Sequence, residues 1–189
     1  MVDKLWLCDL AGPWPVPVGP GLQSWRSWRG DVGGWRHYWA GALADRPAAP
    51  SGTSWECLQA GTDLQSPAYL RGVQAPFHYV VETDVAAGGE AELQAWYEQE
   101  HLPGLSRVPG CDRARRFLRL SINSPSATSS GDGAWSSLPL YVASYDLQGP
   151  EVTESAPWLA VRNTDWSSRV RPLFRNTRRT LFIRPDMSS

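Results

Sequence analysis

The fold of this chain is decided by one segment, FHYVVETDVAAGGEAELQAWYEQEHLPG, which spans residues 77–104. Its first part, residues 77–84, follows a proline and is rich in β-branched and aromatic side chains, so it predicts a strand. Gly88 and Gly89 then break the chain, and acidic side chains at the beginning of the next stretch favour the start of a helix. The segment therefore predicts a strand followed by a helix over 90–102.

One side of the predicted helix is apolar and aromatic. Its members recur three and four residues apart, the spacing of a buried helix face: Leu93, Trp96, Tyr97, His101 and Leu105. Pro103 has no backbone N–H to donate and its ring clashes with the preceding turn, so the helix must stop or restart there. His101 lies one turn after Tyr97, and we expect its side chain to point into the space between this helix and the sheet.

Three further strands are predicted downstream, at 111–122, 138–147 and 177–184, with a helical region over 151–174. The Ser/Gly-rich residues 123–137 show no periodicity and are expected to form a mobile hairpin loop. The order strand-helix-strand-strand-helix-strand predicts an α+β fold with an antiparallel, ferredoxin-like βαββαβ sheet. Such a sheet leaves one face without helices, so a second sheet, from a partner or from the same chain, is expected to cover it.

The first 75 residues are harder to assign. Their order of elements is close to a second ferredoxin-like unit that lacks its first helix. The chain is therefore expected to divide into a degenerate, Trp-rich half, residues 1–75, and a ferredoxin-like α/β-barrel domain, residues 76–189. A degenerate tandem repeat within one chain is one alternative, and a barrel completed by a second chain is the other. The elements predicted in the first half are strands at 4–10, 35–43 and 53–60 and a short helix at 64–73.

Several motifs of the second half occur in a known combination. The helix end WYEQEHLPG (96–104) is followed by the turn VPG (108–110), the strand start ARRF (114–117) and the later strand YVASYDL (141–147). Together they resemble the dimeric α/β-barrel superfamily, most closely its EthD-like and related uncharacterised members. The resemblance implies a barrel of the dimeric α/β type and a homodimer. It implies no single reaction, because the superfamily includes monooxygenases, isomerases, cyclases and haem-degrading enzymes.

The composition predicts a globular chain without affinity for nucleic acid. Hydrophobic residues make up 42%, charged residues 20%, and the formal net charge is −1. No apolar run approaches the roughly 18 residues needed to cross a membrane. Cys8, Cys57 and Cys111 are odd in number and lack metal or disulfide spacing, so reduced thiols and a cytoplasmic location are expected.

No motif for a metal or a nucleotide is present in the sequence. It contains no HExxH, no GxGxxG, no GxxxxGK[ST] and no GxSxG. We therefore expect no metal site and no bound cofactor. Any chemistry is expected to come from ordinary side chains acting on a small molecule.

The candidate catalytic residues are His101, Tyr97 and His78. His101 and Tyr97 are expected to lie side by side on one helix face. An imidazole beside a phenol in a half-apolar cleft can transfer protons near neutral pH. The alternative for His101 is structural, as a cap for the helix end or a hydrogen-bonding group across the fold. His78 alternates with Glu82 on one strand face, where the two could form a base and its orienting carboxylate. The candidate ligand-binding residues are Trp96, Glu82 and Arg116.

Two functions remain open from the sequence. The first is an uncharacterised EthD-like protein that acts, without a cofactor, on an aromatic or polyketide-like compound by proton transfer. The second is a non-catalytic small-ligand-binding or structural protein, because no complete catalytic constellation is present. Both predict a small hydrophobic or aromatic molecule as the partner, and neither predicts a nucleic acid or a membrane.

Overall fold

A computed structural model describes residues 4–15, 21–72, 74–120 and 138–185. Within these residues, eight antiparallel strands close into one barrel, in the order β1-β3-β2-β8-β5-β7-β6-β4, and β4 returns to pair with β1. The strands are β1 (Lys4–Leu10), β2 (Leu22–Gly30), β3 (Trp35–Trp39), β4 (Glu56–Gln65), β5 (Phe77–Val85), β6 (Cys111–Leu120), β7 (Tyr141–Leu147) and β8 (Phe174–Ile183).

The closed barrel corrects the predicted fold class. We predicted an open ferredoxin-like βαββαβ sheet, but β2 pairs with β8 and β4 pairs with β6, so the sheet has no open edge. The prediction was wrong because the hydrophobic pattern identifies strands but does not say which edges pair. Closure satisfies the row of backbone N–H and C=O groups that an open edge would leave unpaired. The barrel closes within one chain, a point that the sequence left open.

The positions of the second-half strands are confirmed where the structure describes them, and β2 was missed. The predicted strands at 77–84 and 177–184 correspond to β5 and β8, and those at 111–122 and 138–147 correspond to β6 and β7. The missed strand β2 is largely exposed and alternates tryptophan with arginine and serine, so it lacks a continuous apolar face. The loop predicted at 123–137 lies outside the described residues.

The first four strands and the last four follow the same order in the barrel. Around the barrel, the first half reads β4-β1-β3-β2 and the second half reads β8-β5-β7-β6. Gly30 lies at the junction of β2 with β8, where its φ of 130° and its contact with the next strand require glycine, because a Cβ there would lie 2.1 Å from the Arg179 carbonyl oxygen. The division into residues 1–75 and 76–189 stays a prediction.

Among the described residues, the helices that pack on the barrel cover the outer face of its second half. The helix α2 (Glu90–Trp96) continues through a wide turn, Tyr97–His101, into α3 (Leu102–Leu105). These helices and their neighbours enclose a large apolar cluster with the outward side chains of β5 and β7. No helix of the described residues is long and apolar enough to cross a membrane. The remaining helices are α1 (Pro67–Leu70), α4 (Ala156–Arg162) and α5 (Asp165–Val170), with short 3₁₀ turns at Leu43–Asp45, Pro150–Glu154 and Arg171–Leu173.

The barrel interior has an apolar centre and a buried cluster of charges. Glu82 is 2% exposed and accepts hydrogen bonds from Arg36 at 3.2 Å, Arg119 at 2.7 Å and Arg178 at 3.2 Å. Arg36 is fully buried and also forms a two-point contact with Asp9, at 2.7 Å for each bond. Burial alone would raise the pKa of Glu82, but the three arginines outweigh it and lower this pKa to about 2.

The Glu82 cluster makes the stability of the fold depend on pH. Because the folded-state pKa of Glu82 lies near 2 and its ordinary value is 4.5, its contribution is complete above pH 4.5 and is lost as the pH falls toward 2. That contribution is about 3 kcal/mol. We expect Glu82→Gln to lower the free energy of unfolding at pH 7 by about 3–5 kcal/mol, since it leaves buried arginines undercompensated.

Urea unfolding at pH 7, 5 and 3 measures both effects. Glu82→Gln is expected to flatten the loss of stability between pH 5 and 3. Glu154→Gln is the matched control, because the Glu154 side chain is 68% exposed and its ion pair with Arg29 should contribute less than about 1 kcal/mol. Equal stability of Glu82→Gln and the wild type at pH 7 would contradict a compensating role for this carboxylate.

Candidate functional site

The helix that carries His101 widens for one turn. The N–H of Leu102 bonds to the carbonyl of Tyr97, five residues back, instead of four. Pro103 cannot donate and its ring would press on the carbonyl one turn earlier, so a wider turn lets the helix restart as α3. Such π-type turns occur frequently at functional sites. The widened turn holds His101 against the outer face of the sheet.

His101 points into the cleft between the helices and the sheet, as the spacing predicted. Its residue is 8% exposed, its ring stacks on Trp96 with centroids 4.0 Å apart, and it meets the ring of Tyr97 edge-on at 5.5 Å. His101 forms no capping hydrogen bond at the start of α3. A cap at the start of α3 is therefore absent, while the other forms of the structural alternative, a cap for the preceding helix end or a hydrogen bond across the fold, stay predictions.

Four buried polar atoms of this cleft have no hydrogen-bond partner among the described residues. They are Nδ1 of His101, Nη1 of Arg116, the hydroxyl of Tyr145 and Nε1 of Trp158. Leaving such a group buried and unpaired costs about 1–3 kcal/mol. His101, Tyr145 and Trp158 line one cavity of about 30 Å³, which has room for one or two water molecules. The arrangement is suited to small polar atoms that can bind these groups.

The charges around the cleft favour a negative ligand atom. Burial, and then Arg162, Arg116 and Arg171, lower the pKa of His101 to about 3, so its imidazole is neutral at neutral pH. Burial lowers the pKa of Arg116 too, and its guanidinium lies 3.7 Å from the ring centroid of Tyr97. Positive groups held in a water-poor cleft stabilise negative charge far better than they would in water.

A larger cavity opens on the other side of Arg116. Its volume is about 480 Å³, and it lies between α2, the strands β6 and β7, and an irregular stretch of β4. Its apolar walls include Phe117, Leu118 and Tyr141. A cavity of this size and lining is of the kind that binds small organic ligands. Arg116 therefore lies between a cavity large enough for a ring system and the cluster around His101.

The structure separates His78 and Glu82 from this cleft. Both face the barrel interior, and the expected contact between them is not formed. Nδ1 of His78 lies 2.6 Å from a carboxylate oxygen of Asp146, and its Nε2 lies 3.1 Å from the hydroxyl of Tyr38. The Asp146 carboxylate, with a pKa of about 2, is ionised, so the imidazole donates to it and accepts from Tyr38. Trp25 stacks on the same imidazole at 4.9 Å.

Four of the predicted site residues are brought together: Trp96, Tyr97, His101 and Arg116. Sequence reasoning missed Tyr145 and Trp158. The signal for Tyr145 was present, because strand alternation puts it on the helix-facing side of β7, directly opposite Tyr79 of β5. Trp158 follows a proline in the first turn of α4 and is 1% exposed, but nothing in the sequence says which wall of the cleft it forms.

Comparison with known proteins gives a fold and no family. The chain is similar to the solved structure of an anthrone oxidase-like protein, with a TM-score of 0.51, 13% sequence identity, and coverage of 96% of this chain and 90% of the other. At this identity the similarity shows a shared fold alone. No family model matches the chain, and no curated protein matches it. The EthD-like assignment, the homodimer and the cytoplasmic location stay predictions.

The environment of His101 can be tested by its titration. With a folded-state pKa near 3 against an ordinary 6.5, the ring should remain neutral from pH 8 down to pH 5. Its burial as a neutral group stabilises the fold fully above pH 6.5, and this contribution is lost as the pH falls toward 3. Nitrogen-15 NMR of the imidazole is expected to show no titration of His101 between pH 8 and 5. A midpoint near 6.5 would contradict the buried, cation-flanked position.

Proposed function

We propose that the protein binds a hydroxylated aromatic ketone or a polyketide-like compound in the cleft and removes a proton from it, with His101 as the base. The observation that carries the proposal is the free Nδ1 of a neutral, buried imidazole beside a cavity lined by Tyr145 and Trp158. A neutral imidazole with an unpaired nitrogen is the form that can accept a proton.

The proposed step moves one proton and leaves an anion. The proton passes from carbon or oxygen of the bound compound to His101, and the electron pair stays on the compound as an enolate or phenolate. Arg116, buried beside Tyr97, stabilises the negative oxygen. Return of the proton to another atom completes an isomerisation, which needs no second reactant. The step needs only side chains, in keeping with the expectation of a protein without a cofactor.

The low pKa of His101 sets a condition on this step. Each unit by which the pKa of the base falls below that of the substrate costs about 1.4 kcal/mol in the transfer. Negative charge developing next to the imidazole raises the pKa of His101, while the arginines around the cleft lower the pKa of the bound acid. Both shifts bring the pKa values of His101 and of the bound acid closer together once the substrate is bound.

The class of compound is supported by size and by a structural relative. The cavity beside Arg116, at about 480 Å³, has the volume for a compound of two or three fused rings. The similar solved structure is that of an anthrone oxidase-like protein. An anthrone is an aromatic ketone of three fused rings with an acidic methylene group. Oxidation would need a further reactant, so the proposal stops at the proton transfer.

A second candidate function is binding without catalysis. It is favoured by the small cavity at His101, about 30 Å³, which admits a substituent and not a ring. On this alternative the cleft holds an aromatic compound and the imidazole only donates or accepts a hydrogen bond. The two functions differ in one measurable quantity, the rate at which the bound compound exchanges its acidic proton.

Exchange of the methylene protons of dihydroxyanthrone in deuterated water tests the proposal. The folded protein is expected to accelerate the exchange, which proton NMR follows directly. His101→Gln keeps a polar side chain but removes the base, and we expect it to slow the protein-dependent exchange by about 10²–10⁴-fold. Tight binding of the compound with no acceleration by the wild type would establish the binding function instead.

The matched control is His37→Gln. His37 is also fully buried, but it lies on β3 in the first half, where its Nδ1 is 2.9 Å from the Ser24 hydroxyl. Both variants remove a buried imidazole, so both report the cost to stability, which thermal unfolding measures. Only the His101 variant is expected to lose exchange. Equal losses in the two variants would show that the effect of His101→Gln comes from destabilisation.

A further inference from the structure

A second groove continues outward from the cavity at His101. The two share three lining residues, Tyr79, Arg162 and Arg179. The outer groove has a volume of about 290 Å³, and its floor is the outer face of β5 and β8, where Tyr79 lies directly opposite Leu181. Tyr79 also contacts Tyr145 and Trp158 of the inner cavity, with ring centroids 6.1 Å away in both cases. Because the groove and the cavity border the same three residues, we take them together as one path from the surface to His101.

The walls of this path carry an excess of positive charge. Arg162, Arg171 and Arg179 line it, and among the described residues no carboxylate lies within 4.0 Å of any of their guanidinium groups. The outer groove does contain a carboxylate, that of Glu154, which lines it together with Arg29. Glu154 is paired with Arg29 at 3.3 Å, and Asp31 accepts the backbone N–H of Arg179 at 2.7 Å.

Unpaired arginines on a surface are ordinary when they are scattered, but these converge from three elements. Arg162 ends α4, Arg171 follows α5, and Arg179 belongs to β8. Arg171 has a structural explanation, because its Nη1 donates to the Arg162 carbonyl at the end of α4. For the side chains of Arg162 and Arg179, the described residues provide no such hydrogen bond. Burial, and then repulsion by these two arginines, lowers the pKa of Arg171, so the cluster holds uncompensated charge.

We propose that the outer groove binds the carboxylate of the ligand, so that the substrate of the cleft is an aromatic acid. The carboxylate would bind Arg162 and Arg179 beside Tyr79, and a ring oxygen would reach toward His101. Arginine is suited to this role because its planar group binds a carboxylate through two parallel hydrogen bonds. The position of the ring rests on the proposed function, whereas the anion site depends only on the groove.

Two probes that differ by one carboxylate test the inference: dihydroxyanthrone and the same compound with a carboxylic acid on an outer ring. Quenching of tryptophan fluorescence measures the dissociation constant of each. We expect the wild type to bind the acid at least about tenfold more tightly than the neutral compound, as charge-assisted hydrogen bonds require. The preference should shrink as the ionic strength rises, since the groove is partly open to solvent.

The double variant Arg162→Gln/Arg179→Gln is expected to bind both probes with equal affinity, because it removes the two guanidinium groups that would bind the carboxylate. The control is Arg169→Gln, because Arg169 is an exposed arginine of α5 that lines neither cavity and should keep the full preference. A wild type that binds both probes with equal affinity would overturn the inference, as would a double variant that keeps the preference.

Failure of the anion site and failure of the proposed chemistry give different results. His101→Gln is expected to lose proton exchange and to keep the preference for the acid. If the wild type accelerates proton exchange but binds both probes with equal affinity, the proposed function stands and the inference that the substrate is an aromatic acid is wrong. If the wild type prefers the acid probe but does not accelerate proton exchange, proton transfer by His101 is wrong and the anion-binding groove stands.

Discussion

The pairing of β2 with β8, and of β4 with β6, is the constraint on which the rest of the structure depends. These two contacts join the first four strands to the last four and turn two sheets, each with free edges, into one closed wall. Closure makes an interior that is lined by side chains of the strands. In the described part of the chain, the helices of the second half cover the outer face of β5 to β8.

Buried polar groups have different surroundings on the two sides of this wall. Inside, Glu82 is surrounded by three arginines, and Arg36 and Arg119 each have a second carboxylate, in Asp9 and Glu56. Buried charges that are paired in this way are compensated, so this part of the interior is a structural core. Outside, four polar atoms of the helix-covered cleft lack partners among the described residues, and such atoms are where a ligand or water is needed. Inside, the ion pairs still leave Nη1 of Arg36 and Nε of Arg178 without a hydrogen bond among these residues.

The position of His101 follows from the same wall and from one proline. The sheet supplies a flat outer face, and the aromatic side chains of β5 and β7 fill it. The helix that packs on that face must carry Pro103, which widens the preceding turn and presses the imidazole between Trp96 and the cavity. Three arginines give the cleft its positive charge, and they belong to separate elements: Arg162 ends α4, Arg171 follows α5 and Arg179 lies on β8.

The sequence by itself determined the local structure and much of the helix-facing cleft. Alternating and 3.6-residue patterns are short-range properties, so they identified β5 to β8 and the face that carries Tyr97 and His101. Tertiary structure alone decided the closure of the barrel, because any strand edge offers the same backbone groups to any other. It also decided the partners of His78: Asp146 and Tyr38 are 68 and 40 residues away in the chain, and only the registers of the closed sheet bring them to one imidazole.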